Sequence, residues 1–145
     1  MLHSSDYGFE GIADRRVLTV DSDATVADVC KKMANENVRN VFVIKGDKPI
    51  GVVRDIDIIC KVVARGLFPQ VVRVGEIMVS PPPMLDHKAR VTQAARLMAE
   101  TGVRRVLLMD GNKIVGSVTA GAVLSTLSYV PAGDVGINLR KLARE

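Results

Sequence analysis

The strongest constraint on this chain is that it is written twice. A shift of 65 residues lays 21–59 over 86–124 without a gap, and 12 of the 39 aligned pairs are identical, Val26/Val91, Met33/Met98, Arg39/Arg104, Gly46/Gly111, Gly51/Gly116 and Val53/Val118 among them. Unrelated stretches of ordinary composition would share about 3. Each copy is only about 50 residues, too short to bury much core alone. The 145 residues are therefore expected to form two small units that share their stability.

Both copies read alike along the chain. In TVADVCKKMANENV apolar residues recur at Val26, Val29, Cys30, Met33 and Ala34, and VTQAARLMAETGV repeats this at Val91, Ala94, Ala95 and Met98, the spacing of one helical face. Thr25 with Asp28 suits a capped helix start, and Gly102 a helix end. Two short β-branched runs follow in each copy, NVFVI with PIGVV and RVLLM with KIVGSV, joined by KGDK and DGNK, where Gly and Asn permit hairpin turns. A second helix is expected from about Asp55 and Ala120, and a short extended lead-in at VLTV and at PPML. The expected fold is α/β (α+β), two βαββα repeats packed through their sheets about a pseudo-twofold axis. The expected boundaries are 9–66 for the first repeat, 67–128 for a linker plus the second, and 129–145 for a tail with a short basic helix. Within the linker, VGEIM is expected to seat against the first unit, and FEGIA, 65 residues earlier, is its counterpart.

Composition narrows the function classes. No apolar run reaches the roughly 18 residues of a membrane span, and the first residues lack the basic-then-apolar pattern of a signal peptide, so the expected location is the cytoplasm. Cys30 and Cys60 form no CxxC pair and fall in apolar stretches, which favours buried thiols. His3 and His87 have no second candidate ligand at metal-binding spacing. A net charge of +4 invites nucleic acid, but aromatics make up 3% of the chain, too few for base-stacking platforms. Neither paired carboxylates, a nucleophile with a base, nor a phosphate-cradling glycine loop can be assembled, which argues against an enzyme.

The lead-in VGEIM, the strand starts VRNVFVIKGDKPIG and VRRVLLMDGNKIVG, and the pattern Gly, two apolar residues, Thr or Ser, two residues, Asp, in register and repeated, resemble the cystathionine-β-synthase (CBS) domain family, whose members occur as tandem pairs (Bateman modules). The resemblance covers about residues 9–128. It implies a sensor or regulatory module, not a catalyst. It also implies an adenosine-containing ligand (AMP foremost, or ADP, ATP or S-adenosylmethionine) in clefts between paired units, and dimerisation into a flat disc.

Carried onto this chain, the resemblance brings Asp57 to the ribose hydroxyls, since a carboxylate accepts two hydrogen bonds. Its plain alternative, shared by Asp55, is a first-turn acid favoured by the helix dipole. Arg54 stands where the family has Thr, and its anionic partner is Asp55, Asp57 or a ligand phosphate. Arg39 and Arg104, with Arg105, stand before the first strand of each unit, where guanidinium forks suit phosphate; the alternative is a solvated strand edge. The second copy keeps Thr119, either a ligand contact or a helix cap, but has Ala122 in place of the Asp. Thr19, Val20, Val41 and Ile50 are candidates to line the adenine, or plain core.

Three functions compete. The first is an adenine-nucleotide sensor acting on an unidentified protein target, as a homodimer. The second is a ligand-free dimerisation scaffold, favoured by Arg54 and Ala122 breaking the pattern. The third is a nucleic-acid binder using the arginines.

Overall fold

The computed structural model describes residues 7–127; His3 and the 129–145 tail with its expected helix lie outside the described residues. The first copy runs β1 (Thr19–Asp21), α1 (Val26–Glu36), β2 (Asn40–Lys45), β3 (Lys48–Arg54) and α2 (Asp55–Ile58), which continues as a π-helical turn over Ile59–Val63. The second runs β4 (Met84–Asp86), α3 (Val91–Thr101), β5 (Arg105–Asp110), β6 (Lys113–Thr119) and α4 (Ala120–Leu127). Strands and the first helix of each copy are offset by the same 65 residues at both ends, so the repeat in sequence is a repeat in structure.

Each copy builds a three-stranded sheet in which the lead-in strand runs parallel to the next and a hairpin supplies the third. The hairpin turns need a left-handed residue, which Gly46 (φ 62°) and Gly111 (φ 58°) supply. Both hairpins then slip by one residue, after Val43 and after Leu108, leaving Ile50 and Val115 as bulges at equivalent places. Helix α1 starts with a reciprocal cap: Asp28 N–H donates to Thr25 Oγ1 (3.1 Å) and Thr25 N–H to Asp28 Oδ2 (3.4 Å). A cap of this kind contributes about 1 kcal/mol. Helix α3 ends at Gly102 in the left-handed region (φ 76°), as its sequence implies.

The chain divides into two compact units, Leu18–Pro82 and a second made of the stretch up to Val17 with the chain from Pro83 on. These differ from the sequential repeats 9–66 and 67–128 because each lead-in buries its apolar residues in the other copy's core. Val74 and Ile77 of VGEIM join Val26, Val29, Val41, Val43 and Val53. Phe9 of FEGIA joins Val91, Met98, Val106 and Val118. Each such aliphatic or aromatic burial is worth about 1.5–3 kcal/mol, which neither 50-residue repeat obtains from its own segment.

The lead-ins dock by one pattern. Val52 and Val79 exchange backbone hydrogen bonds (3.0 and 2.8 Å), as do Asp14 and Ser117 (both 2.8 Å). The residue before each docking strand position is glycine because a Cβ at Gly51 would stand 3.0 Å from Val79 O, and one at Gly116 3.0 Å from Asp14 O. Among the described residues no helix is long and apolar enough to cross a membrane.

Candidate functional site

Antiparallel pairing brings the start of one strand beside the end of the next. Asn40 therefore pairs with Arg54, and Arg105 with Thr119. Two further hydrogen bonds fix these corners: Asp55 N–H donates to Arg39 O (3.0 Å) and Ala120 N–H to Arg104 O (2.8 Å). One unit thus gathers Arg39, Arg54 and Asp57 at one end of its sheet, and the other gathers Arg104, Arg105 and Thr119 at the matching end.

At the first corner Asp57 is 3% exposed. Its Oδ2 accepts from Arg54 N–H (2.9 Å) and Arg54 Nε (3.0 Å), and its Oδ1 from Arg54 Nη2 (2.8 Å). The anionic partner of Arg54 within the chain is therefore Asp57. Asp55 instead accepts the N–H of Ile56 (2.8 Å). Burial pushes the Asp57 carboxyl upward, but the hydrogen bonds from Arg54 and the charges of Arg54 and Lys61 outweigh it and hold it below the usual carboxylate range. The hydrogen bond to Asp57 raises Arg54 in turn.

Lys61 completes this corner and was not singled out in the sequence. Its Nζ lies 3.7 Å from Asp57 Oδ1 and donates to Ile77 O (2.9 Å), tying the turn after the Asp57 signature to the docked lead-in. The signal available was the four-residue spacing from Asp57.

At the second corner Thr119 acts as a cap, its Oγ1 accepting from Ala122 N–H (3.1 Å). Arg105 Nη1 donates to Ser117 Oγ (2.9 Å) and stands 3.9 Å from Asp14 Oδ2, so this guanidinium has partners within the fold. Ser117, fully buried, is a second residue the sequence reading passed over. Arg104 differs: its Nη1 is buried and finds no hydrogen-bond partner among the described residues. Arg39 is exposed.

Of the four residues expected to line the adenine, Val41 follows Asn40, the partner of Arg54, and Thr19 pairs with Phe42. Val41 is fully buried and Val20 8% exposed, both in the core with α1, and Ile50 packs against that core from its bulge. For Val20 and Val41 the core alternative is therefore the one their side chains take. Thr19 O already accepts from Lys32 Nζ (2.8 Å), and Ile50 O from Ser80 Oγ (2.7 Å). Thr19 and Val20 border an open cleft of about 570 Å³ that α1 lines with Asp28, Lys31 and Lys32.

The expectation of buried thiols is corrected for Cys60, which is exposed, because Ile58 and Val62 occupy the buried face and Cys60, two residues from each, falls on the opposite one; Cys30 is half-buried and burial raises its pKa. No group of three or more metal-ligating side chains gathers among the described residues.

A family model, described as the CBS domain, matches residues 9–64 and 74–129. The protein MK0525 of Methanopyrus kandleri is 31% identical over 123 residues, which cover 83% of this chain and 63% of that one, so the chain spans less than two thirds of that relative. The hexameric CBS-CP12 protein from bloom-forming cyanobacteria superposes with a TM-score of 0.76 at 31% identity, covering 87% of this chain and 76% of that one. CBSX2, solved in complex with AMP, superposes with a TM-score of 0.70 at 24% identity, covering 85% of this chain and 97% of that one, a likeness of fold.

Proposed function

The chain belongs to the CBS-domain family and carries two CBS domains in tandem, and from that premise we propose that it is a regulatory module that senses an adenosine nucleotide, AMP foremost and ADP or ATP next. It is not a catalyst in this reading. Its output passes to a separate protein target, and it works as a homodimer.

The observation that carries this reading is the orphaned Nη1 of Arg104. A buried guanidinium donor left unpaired costs about 1–3 kcal/mol, a cost removed when an anion arrives. Phosphate oxygens match the guanidinium fork, and Arg39 occupies the equivalent place in the other copy. A ligand that binds the native state alone also stabilises it by mass action.

The test replaces Arg104 by Met, which keeps the stem and removes the donors. Wild-type protein is expected to melt several degrees higher with millimolar AMP, and R104M to melt above ligand-free wild type yet respond to AMP much less. Equal AMP responses in the two proteins would remove Arg104 from the site.

A ligand-free dimerisation scaffold is the second reading. It is favoured by Asp57 and Arg105 being already partnered within the fold.

A further inference from the structure

The Arg54–Asp57 pair raises a specific difficulty for a ribose. An ionised carboxylate has about four lone-pair positions. Both on Oδ2 are taken by Arg54 N–H and Nε, and one on Oδ1 by Arg54 Nη2. One acceptor position remains for a sugar that presents two adjacent hydroxyls. The guanidinium lies across both oxygens, and the carboxylate is 3% exposed beneath it, whereas the Arg54 side chain is 34% exposed and has room to move.

We infer that Arg54 is a gate that makes the first copy's site selective for phosphorylated adenosine over adenosine itself. This rests on the adenosine-nucleotide reading above. A ribose reaches Asp57 only when Arg54 lets go of at least one oxygen. A guanidinium released from a buried carboxylate needs another anion, and a phosphate on the same ligand supplies it in matching fork geometry. Adenosine brings the hydroxyls without that anion. Asp57 does not lose all compensation when Arg54 leaves, because Lys61 Nζ stands 3.7 Å from Oδ1.

The informative variant is Arg54→Thr. It removes both guanidinium hydrogen bonds, freeing Oδ1 and leaving Oδ2 with only the backbone N–H of residue 54, and the second copy shows that a Thr at this position caps the helix that follows, as Thr119 does for Ala122 N–H. Calorimetric titration of AMP and of adenosine into both proteins gives the selectivity. Wild type is expected to bind AMP at least about 100-fold more tightly than adenosine, a difference of about 2.7 kcal/mol. In Arg54→Thr adenosine is expected to bind about tenfold or more tightly than it does to wild type, while AMP weakens. The gain for adenosine separates a gate from a simple phosphate contact, whose removal would weaken AMP and leave adenosine unchanged. Unchanged adenosine affinity in the variant overturns the gate.

A second measurement needs no substitution. Pyrophosphate offered to wild type occupies Arg54 and is expected to strengthen adenosine binding; pyrophosphate that competes with adenosine or leaves it unaffected contradicts the inference. If neither protein binds AMP or adenosine, the nucleotide reading itself fails. If AMP binds wild type and adenosine binds it equally well, the gate alone fails.

Discussion

Glycine at 51 and 116 lets each lead-in press onto the other copy's hairpin, and the two sites differ in a way that makes a quantitative test. A Cβ at Gly51 would meet Met78 Sδ at 2.5 Å and Cγ at 2.9 Å as well as Val79 O at 3.0 Å. At Gly116 the only close contact is Asp14 O at 3.0 Å, because the residue matching Met78 is Ala13, whose Cβ stands off at 3.9 Å. In Gly116→Ala the lead-in yields by a few tenths of an ångström, weakening two 2.8 Å hydrogen bonds worth about 1 kcal/mol each, so the expected cost is about 1–2 kcal/mol. In Gly51→Ala the Met78 side chain must also vacate its packing, and such overpacking adds about 1–2 kcal/mol. The total of about 3 kcal/mol lowers the melting temperature by roughly 9 °C. Met78→Ala removes the obstructing atoms, so the Gly51→Ala/Met78→Ala double variant should lose less than the sum of its singles. Urea unfolding of the four proteins measures the coupling, expected at about 1–2 kcal/mol. Strict additivity would refute the proposed contact between residue 51 and Met78.

Two further outcomes follow from the corners. Asp57 titrates below its usual value of about 3.9 when folded, so its stabilisation is present above that pH and is lost as pH falls through the folded value; Asp57→Asn should cost about 2 kcal/mol at pH 7 and flatten the loss of stability below about pH 4 in thermal melts. Thr119→Ala removes a helix cap and should cost about 1 kcal/mol, with Thr119→Ser recovering most of it.

Much of the fold was legible because local chemistry and the repeat agreed. Thr25 and Asp28 cap as their spacing implies, Gly46 and Gly111 turn the hairpins, and Val74 and Ile77 seat in the first core. The site was less legible for identifiable reasons. Period-two alternation marks Val20 and Val41 as facing one side of a strand but does not say whether that side meets a ligand or a helix. That Arg54 chooses Asp57 over Asp55 depends on one helical turn bringing the third residue beneath the first. Cys60 faces outward because Ile58 and Val62, four residues apart, take the buried face, and in a run as uniformly apolar as IDIICKVV the sequence does not mark which face that is. Arg104 and Arg105 are neighbours in sequence with opposite fates: Arg105, the first residue of β5, is anchored by Ser117 across the hairpin, while Arg104, just before the strand, keeps an orphaned donor.

The central claim is that this tandem CBS pair binds an adenine nucleotide. Isothermal titration of AMP into the wild-type protein, with Asp57→Ala alongside, tests it most directly. The account predicts saturable binding to wild type that Asp57→Ala weakens at least about tenfold, a change of about 1.4 kcal/mol. No saturable binding of AMP, ADP or ATP to wild type would contradict it and leave the dimerisation scaffold as the function.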